Sequence, residues 1–419
     1  MRILRLNDWT GPPGGAESYV TAVARSLEEA GHPQRTISLT DAPSVSEYRA
    51  ERWERIVPLR PMGPRRLAED LGAEPREFGR VVEAIDEFRP EIVHLHHYDS
   101  WFVPFARLLR ASKVPLVMTA HDAKLVCPIG TLVLPDGSLC TGRILPRCQF
   151  TGCAVGLGLG YKLTQDRFFR TYVAPRVRLY LAPSRAAGEF LERHRLSPVQ
   201  VLPPFIEVPP AVESSPPPLP EGPPTLGFLG RLETYKGPFT LLEAFLRARE
   251  RVPGLRLILA GRGPAEARLR EEVRRHGREV EAAVELPGWV SGAAKETFFS
   301  RIHVLAVPSE GYENFGLIGL EAFVRGRPAL GSRLGGIPDW LEHEGQGLLL
   351  PPGDVRAWTE GLVAAFSDRA RLARWGEAAR RRYHERFRPE VHLRELLAAY
   401  ERVLSGQGPT QGPAPVGPA

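Results

Sequence analysis

Short apolar runs that stop at Gly, Pro or His, each followed by a longer stretch of helical periodicity, occur in two separate regions of the chain. This is the grammar of βα units in a parallel sheet. In the first region the runs are Arg2–Leu6, Ile92–Leu95, Leu116–Thr119 and Leu179–Ala182. In the second they are Thr225–Leu229, Arg256–Ala260, Val304–Val307 and Ala329–Gly331. Between them, residues 203–224 hold 10 Pro in 22 positions, too many for a sheet or helix interior, which predicts a stiff, extended connector. Further on, residues 355 to about 403 read as charged amphipathic helices, and SGQGPTQGPAPVGPA at 405–419 has too little apolar surface to fold. The pattern predicts two α/β domains with doubly wound parallel sheets. They are expected at 1–205, with a Cys-containing insertion at 123–160, and at 225–380, joined by a Pro-rich linker at 206–224. A C-terminal helix at 381–404 and a disordered tail at 405–419 complete the expected organisation.

Length and composition agree with that division. A chain of 419 residues exceeds one ordinary core, and 43% hydrophobic with 25% charged residues excludes a mainly disordered, collagen-like or coiled-coil protein. The net charge is +6, but acids and bases interleave through most of the chain, so charge alone is weak support for a polyanionic partner. The excess concentrates in 103–178, where 11 Lys or Arg face Asp122, Asp136 and Asp166, a local balance of +8 that leaves −2 on the rest. Within it, Arg167-Phe-Phe-Arg-Thr-Tyr has the mix of cations and aromatics that suits anionic lipid headgroups. A solvated basic helix packing its aromatics inward is the competing reading. No stretch approaches the roughly 20 apolar residues of a membrane span, and Arg5 and Asp8 interrupt any signal-peptide core at the start. A cytoplasmic protein, peripheral at most to the inner face of a membrane, is expected.

Three segments can carry chemistry. Gly11-Pro-Pro-Gly-Gly-Ala-Glu-Ser18 follows the first strand and opens a helix, and Gly14 and Gly15 allow close backbone approach to an anion. It lacks the spacing of a dinucleotide fingerprint, and a turn made for packing reads the same way. Gly230-Arg-Leu-Glu-Thr-Tyr-Lys-Gly237 follows the first strand of the second domain, where Arg231 and Lys236 could converge on a diphosphate. Pro308-Ser-Glu-Gly-Tyr-Glu-Asn-Phe-Gly-Leu-Ile-Gly-Leu-Glu321 is the most specific. Glu313 precedes a helix and Glu321 lies about two turns inside it, while Phe315, Gly316 and Leu317 fall at the helix start with its free N–H groups. A cap and a solvated face residue would be the structural reading of the two carboxylates, but Glu321 sits in an apolar run where an idle charge is costly.

Together, the Gly-Gly loop, the Arg231/Lys236 loop and the E-x7-E segment resemble the family-4, or group 1, retaining glycosyltransferases, over residues 1 to about 390. Thr119-Ala-His-Asp122 resembles the same family's His-bearing strand end. The resemblance implies a GT-B fold, two Rossmann-like domains facing across a cleft, and transfer of a hexosyl group from a nucleotide-diphosphate-sugar donor to a glycan or lipid-linked saccharide. Carried over by position, Arg231 and Lys236 would neutralise the diphosphate and Glu321 would bind the ribose. Glu313 would lie at the reacting face of the sugar, His121 would contact that sugar, and Phe315, Gly316 and Leu317 would offer backbone N–H groups. Gly14 and Gly15 would close on donor phosphate or acceptor, with Gly261-Arg-Gly-Pro264 and Trp289-Val290 near the nucleobase. No cofactor is implied for catalysis, since fixed cations and helix ends can stabilise the departing diphosphate. A GT-B nucleotide-sugar epimerase is the alternative enzyme, without this E-x7-E setting. A nucleic-acid-binding protein is favoured by charge alone, and a nucleic-acid partner is not expected.

Two clusters have less specific patterns. His94, His96, His97 and Asp99 look like metal ligands, yet side chains alternate along the strand at Ile92–Leu95, so they are not expected to meet on one ion. His96 or His97 is expected to line the acceptor side instead. Cys127, Cys140, Cys148 and Cys153 could hold a structural zinc, remain redox-sensitive thiols, or form disulfides, and their spacings match no paired C-x2-C knuckle.

Overall fold

In the computed structural model, residues 1–7, 15–40, 54–58, 86–97, 113–127, 130–134, 140, 142, 146–153, 156–214 and 217–408 are described. The chain forms two compact units. One comprises Met1–Leu132, Thr141–Pro204 and Pro389–Ala419, the other Val133–Cys140 and Phe205–Arg388.

The first unit is built on β1 (Ile3–Asn7), β2 (Gln34–Thr40), β3 (Glu54–Pro58), β4 (Ile92–Leu95), β5 (Leu116–Thr119), β6 (Val177–Ala182) and β7 (Val199–Val201). Every pairing is parallel, in the order β3-β2-β1-β4-β5-β6-β7. The second unit has β8 (Thr225–Leu229), β9 (Arg256–Ala260), β10 (Val284–Gly288), β11 (Val304–Val307), β12 (Ala329–Ser332) and β13 (Gly347–Leu350). Its parallel order is β10-β9-β8-β11-β12-β13. Both are doubly wound orders that reverse direction beside the first strand, between β1 and β4 and between β8 and β11. In such sheets the crevice for a ligand opens at the carboxyl ends of those strands.

Of the apolar runs read from the sequence, β1, β4, β5, β11 and β12 are strands buried on both faces and contain no exposed position, and β13, which lies outside those runs, is buried in the same way. In the second unit the side chains alternate between two cores. Leu226, Phe228, Leu257 and Leu259 pack on one face, and Ile258, Ala260, Leu305 and Val307 on the other. Helix starts follow the expected chemistry. The side chains of Ser184, Asp354 and Asp368 accept the N–H of Ala187, Ala357 and Arg371 at 3.1, 2.9 and 3.0 Å.

Two stretches differ from the sequence expectation. The Pro-rich segment is not a free spacer: it contains the helix Pro210–Ser214 and is strapped to the second unit. Arg327, 1% exposed, donates to Pro217 O at 3.1 Å and Pro218 O at 2.8 Å, and Arg369 donates to Pro220 O at 2.7 Å. A proline run lacks donors but keeps its carbonyls, so it docks where buried cations need acceptors; burial also brings the Arg327 guanidinium down to about 10. In place of one helix at 381–404 there are two, Arg369–Arg386 and Pro389–Ser405. Pro389 has no N–H to continue the first, and the second helix belongs to the first unit, where it buries His392, Leu396, Ala399 and Tyr400. Residues 409–419 of the expected tail lie outside the described residues.

Candidate active site

In the second unit the loops leaving β8 and β11 are joined at the switch point. Glu310 N and Gly311 N both donate to Tyr235 O, at 2.8 and 2.9 Å. Gly237, with φ +71°, lets the first loop press against the second: a Cβ there would stand 1.9 Å from Pro308 O. This close approach delivers Lys236, the last residue of the turn Thr234–Lys236, to Glu313. Lys236 Nζ lies 2.6 Å from Glu313 Oε2, which also accepts from Ser309 Oγ at 3.1 Å. From the other side, Gly336 N donates to Glu313 O at 2.8 Å, and at Gly335, φ +56°, a Cβ would lie 2.1 Å from that carbonyl. Glu313 is therefore fixed in both side chain and backbone.

Gly316 adopts the left-handed conformation and caps the helix Leu317–Val324. Phe315 just before it is buried, its carbonyl accepting from Trp340 Nε1 at 2.6 Å. Glu321 is the fifth residue of that helix, a little over one turn in rather than two, and Lys295 Nζ stands 2.7 Å from its Oε2. The pair meets by distance without the alignment of a hydrogen bond. The carboxylate that the sequence places in an apolar run is thus neutralised by a residue 26 positions upstream. Arg231 is mostly exposed and reaches back to Tyr235, whose OH accepts at 2.9 Å, while Lys236 Nζ lies 5.6 Å from the same ring. Tyr235, Ser309, Lys295 and Gly335 escape a reading by motif because their role exists only once distant segments meet.

In the first unit, a small open pocket at the ends of β4 and β5 is lined by His96, His97, Thr119, His121, Asp122 and Lys124. His121 Nε2 is 3.0 Å from His96 Nδ1, and the rings stack at 5.3 Å between centroids. His97 Nδ1 is 2.7 Å from Asn7 Oδ1 at the end of β1. Residues two apart share a strand face, so the His94 and His96 rings lie 4.1 Å apart, while the His97 ring lies 5.1 Å from that of His121. His94 is tied at both nitrogens, to Tyr400 OH at 2.6 Å and Thr119 Oγ1 at 2.8 Å. Burial, aided by neighbouring histidines, holds His96 and His121 well below the usual imidazole range, and burial with nearby Arg5 takes His94 down to about 3. Asp99 and Gly14 lie outside the described residues, and Gly15 is the exposed first residue of the helix Gly15–Glu29.

The four cysteines are thiols, not disulfides. Cys127 and Cys148 are buried and Cys140 and Cys153 half-buried, with Cys140 in the second unit and the others in the first. Among the described residues no group of three or more His, Cys, Asp or Glu could hold a metal ion. In the basic segment Phe169 is buried and Arg170 pairs with Asp166 at 2.9 Å, so part of that segment faces inward. No helix among the described residues is long and apolar enough to cross a membrane.

The family model for glycosyl transferases group 1 matches residues 212–382, and that for glycosyltransferase family 4 matches residues 13–208. D-inositol 3-phosphate glycosyltransferase of Saccharomonospora viridis is 27% identical over 413 residues, covering 93% of this chain and 91% of that protein. Glycogen synthase of Mycobacterium tuberculosis is 29% identical over 195 residues, 46% of each chain. Among solved structures, Anabaena HepE in complex with UDP superposes with a TM-score of 0.69 at 18% identity, over 96% of this chain and all of that one. Sucrose-phosphate synthase of Thermosynechococcus elongatus gives 0.71 at 19% identity, over 97% of this chain and 100% of that one. The fold and the two sequence models define a glycosyltransferase of the GT-B class. The chain belongs to the group 1 glycosyltransferases.

Proposed function

We propose that this glycosyltransferase is a retaining enzyme that moves a sugar from a nucleotide-diphosphate-sugar donor to a glycan or lipid-linked saccharide acceptor. The observation that carries the reading is the Lys236–Glu313 pair at the β8/β11 switch point, 2.6 Å apart. Breaking a glycosyl–phosphate bond builds positive charge at the anomeric carbon and negative charge on the departing diphosphate. A fixed ammonium beside a fixed carboxylate, with Arg231 on the same loop and a helix start behind Gly316, matches that separation of charge. In this reading Lys236 and Arg231 meet the diphosphate and Glu321 the ribose. Glu313 lies at the sugar's reacting face, His121 contacts the sugar, and the helix start at Phe315–Leu317 supplies N–H groups. The UDP held by HepE supports the donor class.

No cofactor is needed for the chemistry so described, because the chain's own cations supply the charge; turnover undiminished by EDTA is the corresponding test. The basic excess at 103–178 and Phe150, 88% exposed, support an acceptor presented at an anionic membrane surface. The decisive experiment is a panel of nucleotide sugars screened by thermal stabilisation, since a ligand of the native state raises its apparent stability. NMR of the anomeric product then tests the stereochemistry. Inverted product, or stabilisation by no nucleotide sugar, overturns the proposal.

A further inference from the structure

His96 and His121 share one hydrogen bond, His96 Nδ1 to His121 Nε2 at 3.0 Å, and one proton must lie between the two nitrogens. Two assignments are possible for neutral rings. If His121 donates from Nε2, His96 accepts at Nδ1 and must carry its own proton on Nε2. That nitrogen is buried and has no hydrogen-bond partner among the described residues, in a residue 1% exposed. A buried N–H left without an acceptor loses its hydration with nothing in return, and orphaned buried donors are rarer than unused acceptor lone pairs. If His96 donates from Nδ1, its Nε2 keeps only a lone pair and the penalty is avoided. His121 then carries its proton on Nδ1.

The surroundings hold His96 in that role. Its ring lies between His94, 4.1 Å away, and His121, 5.3 Å away. His94 cannot turn, because Tyr400 and Thr119 occupy both of its nitrogens. We propose that His96 is a positioning residue whose Nδ1–H fixes His121 as the Nδ1-protonated tautomer, so that His121 meets the transferred sugar as a hydrogen-bond donor through Nδ1 and not as a base through Nε2. The part concerning the sugar rests on the functional reading above; the tautomer does not.

The test uses the full chain labelled with 15N-histidine. Two-bond proton–nitrogen correlation identifies the tautomer of each ring, with His121→Gln assigning the His121 signals. The wild type is expected to show His121 protonated on Nδ1. His96→Leu releases that preference and lowers kcat at least about tenfold, the equivalent of one hydrogen bond, with a smaller change in donor KM. His96→Asn, whose amide N–H stands where Nδ1–H stood, restores most of both signals. His121 protonated on Nε2 in the wild type overturns the proposal, and that spectrum decides even if His96→Leu does not fold. An unchanged tautomer and kcat in a folded His96→Leu also overturns it. An Nδ1-protonated His121 in a protein that turns over no nucleotide sugar upholds the tautomer and removes the donor reading instead.

Discussion

Lys236 Nζ and Glu313 Oε2 stand 2.6 Å apart although 77 residues separate them, each held by its own loop. A diphosphate arriving at this site must compete with Glu313 for the ammonium, so the two residues have opposite effects on nucleotide affinity. Lys236→Ala is expected to lower kcat/KM about 10²–10³-fold, the usual loss when a donor to a developing anion is removed, and to weaken binding of the nucleoside diphosphate. Glu313→Gln also lowers turnover but leaves diphosphate affinity equal to or above wild type. Calorimetric titration with the nucleoside diphosphate product separates the two. Weakened binding in both variants would show that the pair is a structural strut.

Two glycines set this geometry, and neither tolerates a side chain. Gly237→Ala adds a Cβ 1.9 Å from Pro308 O at a positive φ, and Gly335→Ala one 2.1 Å from Glu313 O. Backbone must move in both cases. Each variant is expected to lose more than about 2 kcal/mol of stability, counting left-handed strain and displaced loops, and Gly335→Ala to lose turnover through Glu313. Gly222→Ala, with nothing within 4 Å, serves as the neutral control. Melting curves and turnover on the three variants provide the check.

The strands buried on both faces were legible in the sequence, because a parallel sheet covered by helices needs unbroken apolar runs: β4, β5, β8, β9 and β11 coincide with the runs read from the pattern. Strands such as β2, QRTISLT, and β10, VELPG, carry polar residues or Pro and give no such run. Glu313 and Glu321 were visible through their spacing, but not their cations' partnerships. Lys236 reads as a diphosphate ligand with no hint of its bond to Glu313, and Lys295 gives no motif at all. A pairing across 77 or 26 residues is a property of the assembled sheet. In the histidine cluster the alternation of the strand was legible, but not the stacking of the His94 and His96 rings, which lie two apart on one face.

The polar interior of the first unit makes stability dependent on acid. Burial lowers His94 to about 3 and His392 to about 4, and lowers His96 and His121 as well, whereas in the unfolded chain each titrates near 6.5. Below that value the unfolded state binds more protons, so stability is full above pH 6.5 and falls as the pH drops towards 4. Each histidine contributes up to about 1.4 kcal/mol per pH unit in that window. Urea unfolding followed at pH 7.5, 6.5, 5.5 and 4.5 is expected to show a steepening loss below 6.5. A flat profile down to 4.5 would mean these rings are protonated in the native protein.

The last helix closes that interior. Tyr400 OH is 2.6 Å from His94 Nδ1, and His392 links Tyr19 OH at 2.8 Å to Pro203 O at 2.7 Å. Because a carbonyl only accepts, His392 donates from Nδ1 and receives the Tyr19 proton at Nε2. Tyr400→Phe removes one partner and leaves His94 with a buried, unpaired nitrogen, at a cost of about 1–3 kcal/mol. Ending the chain after Arg388 removes both partners and the buried surface of Leu396, Ala399 and Tyr400, and is expected to unfold the first unit. The second unit, Val133–Cys140 with Phe205–Arg388, keeps all of its own residues. The truncated protein should therefore keep a cooperative transition raised by nucleoside diphosphate while the remaining helical signal melts without cooperativity. A single wild-type transition in the truncated chain would show that the helix is dispensable to the first unit's core.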